Sequence, residues 1–207
     1  MPERGSVDAP AQRRSALADD YAPGSYGAAR PEGPQVTFAE RAGLTLVQVE
    51  SDTVGGEGVA ARLAEAFGPA APRTPNTARG SERARLIWSG PWRWLAVTSE
   101  PRDLEAELAE ALAGSGAAVV DLSHGRSVLR MSGHEARYVL AKGCGLNVHP
   151  HRFHAGVAAQ TALFHVDVLI DCVDDEPRFD IYAARSLALS LWHSLQGAAA
   201  EYGYRVT

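Results

Sequence analysis

Lysine is nearly absent. Lys142 is the only one in 207 residues, and the remaining basic residues are arginines scattered along the chain instead of gathered into a block. With 20 Lys+Arg against 25 Asp+Glu and a formal net charge of -5, the chain lacks the concentrated positive field that displaces counterions from nucleic-acid phosphates. Nucleic acid is therefore excluded as an expected partner. Cysteine is equally sparse: Cys144 and Cys172 are too few for a disulfide framework or a four-Cys zinc or cluster site, which fits a reducing compartment. No stretch reaches the roughly 18 consecutive apolar residues of a membrane span. The first residues, MPERGSVDAPAQRRSALADD, carry no apolar core ahead of a cleavage site. The expectation is a cytoplasmic protein without membrane contact.

What is present is an ordinary globular composition, 45% hydrophobic, long enough to bury a core without metal or disulfide staples. Residues 1 to 34 are rich in Ala, Pro, Gly and Arg, with Pro10, Pro23, Pro31 and Pro34 breaking any periodicity. They read as a disordered tail, or one ordered by a partner through Tyr21 and Tyr26. Residues 35–207 read as one domain, divisible into sub-domains 35–115 and 116–207.

Within it, Leu44 to Val49 suits a strand, and Val59, Leu63 and Phe67 recur at helical spacing. Arg85–Trp88 and Trp92–Val97 suit a hairpin turning at Ser89-Gly90-Pro91. Ser99 is positioned to cap a helix bearing Leu104, Leu108 and Leu112. Strands are expected over 117–122 and 127–131. Ser132 to Glu135 then has capping-box spacing before a helix with Ala136, Val139 and Leu140. A long strand region over 161–173, a strand over 178–182, and a helix over 184–202 with Leu187, Leu191 and Leu195 on one stripe complete the pattern. Paired strands broken by single helices define an α+β protein with mainly antiparallel sheets.

Few residues invite chemistry. Gly56-Glu57-Gly58-Val59-Ala60-Ala61 matches the G-x-G-x-x-A dinucleotide fingerprint, but without a tight strand-to-helix turn or a ribose-binding acid about 20 residues on. It reads as a plain helix entry. His149, His151 and His154 could converge on a divalent metal, yet no fourth ligand is near in sequence, so they read as a solvated loop. Ser123 and His124 lack a nucleophile elbow and an orienting acid. Lys142-Gly143-Cys144 opens like the K-G-C-Y-x-G-Q-E signature of folate-linked iron-sulfur assembly proteins, but continues Gly145-Leu146-Asn147 and reads as a helix end followed by a half-buried thiol. Trp88, Trp92, Trp94 and Trp192 are either core or interface anchors. The expected catalytic, cofactor-binding and metal sets are empty.

Three segments carry a family likeness. Val120-Asp121-Leu122-Ser123-His124-Gly125-Arg126-Ser127-Val128-Leu129-Arg130-Met131-Ser132-Gly133, then Leu140 to Leu146, then Arg185 to Trp192 resemble, in order and spacing, the gamma subunit of heterotetrameric sarcosine oxidase. The likeness runs from about Ala84 to Tyr204. It implies a fold similar to the folate-binding domain of the glycine-cleavage aminomethyltransferase, and partnership with alpha, beta and delta subunits. The same resemblance implies that FAD, FMN, NAD, tetrahydrofolate and zinc reside on those other subunits, and that gamma is structural in a complex that demethylates sarcosine or a related N-methyl amino acid. An alternative is a stand-alone folate-dependent one-carbon transferase, for which Asp167, Asp171 and Asp180 are the obvious carboxylates to hold a pterin. Fold alone does not place folate here.

Overall fold

The computed structural model describes residues 14–81 and 84–207. In chain order its elements are β1 (Gly24–Tyr26), β2 (Val36–Glu40), β3 (Thr45–Glu50), α1 (Gly56–Phe67), β4 (Ala78–Gly80), β5 (Ala84–Gly90), β6 (Arg93–Thr98), α2 (Leu104–Ala111) and β7 (Ala118–Asp121). Then follow β8 (Arg126–Ser132), α3 (Ala136–Gly143), β9 (Ala158–Leu163), β10 (Val166–Asp174), β11 (Arg178–Ala184), α4 (Ala188–Ala199) and β12 (Tyr204–Val206). The strands form a seven-stranded sheet in the order β1-β12-β2-β8-β11-β10-β9 and a five-stranded sheet in the order β4-β5-β6-β3-β7. The β12–β2 pair is parallel, and the other pairs among the described residues are antiparallel.

Three apolar clusters explain the layering. Val168, Ile170, Phe179, Ile181, Leu129 and Met131 on one face of the large sheet pack with Val139, Leu140, Leu191 and Leu195 of α3 and α4. On the small sheet, Val47, Val49, Leu86 and Trp94 pack with Val59, Leu63, Leu104 and Leu108 of α1 and α2. The third cluster joins the sheets themselves, Leu46, Ile87, Leu95 and Val97 meeting Val128, Leu169 and Tyr182. The result is four layers, helices outside and two sheets face to face within. Strands such as β10 are consequently covered on both faces, which is why they read as near-continuous apolar runs.

The segment with tail-like composition departs from that reading. Within residues 14–34, Leu17 is fully buried, Tyr21 packs on Trp192 with ring centroids 5.4 Å apart, and β1 pairs with β12. Tyr21 also donates from its hydroxyl to the Thr207 carbonyl and accepts from the Glu40 N–H. Residue 34 is thus not the edge of the fold, while residues 1–13 of that expected tail lie outside the described residues. Nor do the sheets divide at residue 115. β2, from the first half, lies in the large sheet, and β7, from the second half, completes the small one beside β3.

Local corrections have local causes. Asp103, not Ser99, caps α2, its carboxylate accepting from the Ala106 N–H. The expected capping box at Ser132–Glu135 is not made, because β8 extends through Ser132 and α3 starts at Ala136 without a side-chain cap. The long strand over 161–173 is two strands reversing at Phe164 and His165, both with positive φ. Turns of this kind favour Gly and Asn, so the signal was absent from the residues. Leu187 precedes α4 and is 42% exposed, off the buried stripe.

Candidate functional site

The inner face of the large sheet is where polar chemistry collects. Cross-strand partners share a face, so the register sets out three rows. The deepest contains Ala158, Asp171, Asp180 and Arg130; the middle contains Gln160, Leu169, Tyr182 and Val128. The outermost contains Ala162, Asp167, Ala184 and Arg126, with Asp167 opposite Ala184 one step beyond the Val168–Ala183 pair. Asp167 and Asp171 alternate with core residues on one strand, so both side chains are directed between the sheets.

In the deep row the charges are matched within the chain. Asp171, fully buried, takes Nε and Nη2 of Arg85 from the small sheet at 2.5 and 2.7 Å. A third bond from Arg85 reaches the Cys172 carbonyl. Asp180 takes Nε and Nη2 of Arg130 at 2.7 and 2.9 Å. Burial pushes the Asp171 carboxyl up to about 6, against the pull of Arg85. For Arg85, burial opposes the charge, but bonding and attraction to Asp171 outweigh it and hold the guanidinium above its ordinary value. Burial, with Asp171 and Asp180 nearby, likewise holds the Tyr182 hydroxyl well above the usual range. Arg85–Asp171 ties sheet to sheet, whereas Asp180–Arg130 links neighbouring strands of the large sheet.

The outer row borders a cleft of about 510 Å³ between the sheets, lined by Gln48, Arg93, Arg126, Gln160, Asp167 and Tyr182 around Leu95, Leu122 and Leu169. Arg93 is already held bidentately by Glu50, and the Gln160 amide donates to the Ser89 carbonyl across the sheets. Of the three Asp candidates for holding a pterin, the structure therefore seals Asp171 and Asp180 behind arginines and leaves Asp167 at the cleft.

The other singled-out residues sit apart from it. Trp94 and Trp192 are 1% and 0% exposed, with indole N–H groups bonded to the Pro72 and Asp20 carbonyls. As interface anchors these two are corrected: their surface is already spent on this chain's own core. Trp88 and Trp92 are half-buried. Trp92 lies so close over Gly56 that a Cβ there would fall 2.2 Å from its ring, so the first glycine of the fingerprint-like motif makes room for an indole. The His149 and His151 rings stack at 5.1 Å, and His154 Nδ1 lies 3.0 Å from the Ala155 carbonyl. Among the described residues, no group of three His, Cys, Asp or Glu side chains could hold a metal. The Ser123 hydroxyl accepts from the Leu46 N–H, while His124 is exposed. Burial pushes the Cys144 thiol up, and the Cys172 thiol to about 11, which disfavours the reactive thiolate.

Arg85, Arg126, Arg130 and Tyr182 were missed by sequence reasoning. A signal existed: aspartates on otherwise apolar strands demand buried partners. Which arginines answer depends on register across distant strands.

Comparison with solved structures first defines the fold. The aminomethyltransferase T of the glycine cleavage system from Bartonella henselae superposes with a TM-score of 0.63 at 19% identity, over 84% of this chain and 48% of that one. Heterotetrameric sarcosine oxidase from Corynebacterium sp. U-96, solved with pyrrole 2-carboxylate, contains a chain that superposes with a TM-score of 0.80 at 29% identity. That match covers 92% of this chain and 96% of that one. Residues 53–201 match the model of the sarcosine oxidase gamma subunit family, and the chain belongs to that family. The sarcosine oxidase gamma subunits of Corynebacterium sp. strain P-1 and an Arthrobacter species are 37% and 36% identical over 137 residues. These alignments cover 66% of this chain and 64% of each relative.

Proposed function

We propose that this chain is the structural gamma subunit of a sarcosine-oxidase-type complex, assembled with alpha, beta and delta subunits. The carrying observation is its match to nearly the whole length of one chain of a heterotetrameric sarcosine oxidase. In the proposed complex, an N-methyl amino acid such as sarcosine, with water and oxygen, yields glycine, formaldehyde and hydrogen peroxide; tetrahydrofolate captures the one-carbon unit as its methylene derivative. FAD, FMN, NAD, tetrahydrofolate and zinc belong in this reading to the other subunits. The chemistry of the described residues supports a non-catalytic role, since the deep aspartates are neutralised by their own arginines, Ser123 is bonded to backbone, and both thiols are pushed up.

Co-expression with the neighbouring subunits tests this. The chain should co-purify in equal ratio, and its omission should lower complex yield. Alanine at His124, Cys144 or the His149, His151, His154 loop should leave turnover within a few-fold. A hundredfold loss with assembly and flavin intact, roughly 2.7 kcal/mol of barrier, would place catalysis in this subunit. Failure to co-purify would reject the assembly.

A further inference from the structure

Three neighbouring strands of the large sheet bring one arginine each to the same border. In the order β2-β8-β11, antiparallel pairing sets the ends of β2 and β11 beside the start of β8. Arg41 directly follows β2 and donates its N–H to the Val128 carbonyl. Arg126 opens β8 opposite Ala184, and Arg185 directly follows β11, donating its N–H to the Gly125 carbonyl. The N-terminal segment reaches this border at Arg14, whose carbonyl accepts from Arg185 Nη2 at 2.6 Å. All four arginines line one pocket of about 210 Å³, in which Glu40 is the one carboxylate among the described residues.

The pocket is unbalanced in charge. Arg14 is paired with Asp19. Arg41 and Arg126 have no side-chain hydrogen bond or ion pair among the described residues, and the guanidinium of Arg185 is bonded to a neutral carbonyl. Glu40 accepts from the Ser15 hydroxyl instead of from an arginine. Three guanidinium groups without a counter-charge, against one carboxylate, leave two positive charges in excess, in a chain whose formal net charge is -5. Arg41, Arg126 and Arg185 are half-buried, and a partly desolvated charge without a partner is costly.

We propose that this pocket binds a doubly charged oxyanion of the phosphate kind, as the free ion or as the phosphate group of an ester. The charge balance selects a dianion over a carboxylate. Guanidinium forks match phosphate oxygens in planar two-point contacts and keep their charge, and the several acceptor oxygens of one phosphate can serve more than one fork. The lining belongs to this chain, so the test does not depend on the proposed assembly.

Calorimetric titration of the full chain with inorganic phosphate, glycerol phosphate and acetate, at constant ionic strength, tests the idea. At least one of the two phosphates should bind saturably, and at least tenfold more tightly than acetate; whichever is tighter distinguishes the free ion from an ester. Arg41→Gln and Arg126→Gln should each weaken it at least tenfold, whereas Arg152→Gln, which removes the same charge from an exposed position outside the pocket, should leave it within about twofold. Glu40→Gln should tighten it, because the amide oxygen still accepts from Ser15 but no longer repels the anion. Absence of saturable binding by both phosphates, acetate binding as tightly as phosphate, retained affinity in both pocket arginine variants, an equal loss from Arg152→Gln, or weaker binding in Glu40→Gln would overturn the proposal. Should an arginine substitution unfold the chain, the selectivity of the parent protein and the Glu40→Gln result decide.

Discussion

Replacing Arg85 with methionine should destabilise the protein far more than removing Arg85 and Asp171 together. The pair sits between the sheets with side chains 8% and 0% exposed, and the next row member, Asp180, adds like charge. Arg85→Met leaves the Asp171 carboxylate buried without its main partner, a loss of about 3–5 kcal/mol for a broken buried ion pair. In a chain of this size each kcal/mol lowers the thermal midpoint by about 2–4 °C, so the expected drop is on the order of 6–20 °C. Adding Asp171→Leu removes the stranded charge and puts an apolar side chain on the inner face that Leu169 shares. Doubly apolar replacements of buried pairs are often neutral or better. Urea titrations of the parent, both single variants and the double variant close the cycle. A cost below about 1 kcal/mol for Arg85→Met, or a double variant as unstable as the sum of the singles, would show that the pair does not lock the sheets.

Three further outcomes follow from the packing. The Asp171 carboxyl titrates near 6 when folded and near 3.9 when unfolded, so the folded chain binds the proton more tightly. Its contribution is then most favourable below about 4 and is lost as pH rises through 6; relative to Asp171→Asn, the parent should gain up to about 3 kcal/mol between pH 7 and pH 4, and a flat difference would refute the shift. Gly56→Ala, normally a gain of up to about 1 kcal/mol in a helix, should cost about 1–3 kcal/mol by overpacking Trp92, and pairing it with Trp92→Ala should cost less than the sum of the two in the same urea titrations. Leu17→Ala should cost about 2–5 kcal/mol because this residue is fully buried; a thermal midpoint unchanged by it would restore the tail reading.

Elements with their own periodicity were legible. α1, α2 and α4 announce their buried stripes at Val59, Leu63, Phe67, Leu104, Leu108, Leu191 and Leu195, because a helix face is written within a dozen residues. The family segments fall on β7, β8, α3 and α4, where such local signals are dense. β1 and β12 were not legible, being three-residue strands that pair with each other across nearly the whole chain. Leu17 and Tyr21 look like tail residues because their neighbours in sequence are Pro, Ala and Arg, while their neighbours in space are Phe38 and Trp192. Between the sheets, Asp167, Asp171 and Asp180 stood out as charges on apolar strands. The arginines that pair with two of them emerge only from register.

The insertion of β12 between β1 and β2 has a consequence during biosynthesis. Tyr204 aligns with Val36 on one side and Tyr26 on the other, so the N-terminal segment of the large sheet waits for a strand translated about 170 residues later. At about 5–20 residues per second this is a delay on the order of 10–30 s. Throughout it, Leu17, Val36 and Phe38 lack the Tyr204 and Val206 side chains that cover them in the finished cluster. Helices and antiparallel hairpins close far faster, so the small sheet can mature while the first β-strands of the large one are still unshielded. The apolar cluster around the first strands of the large sheet is therefore among the last parts of the core to close, and it closes when β12 is added.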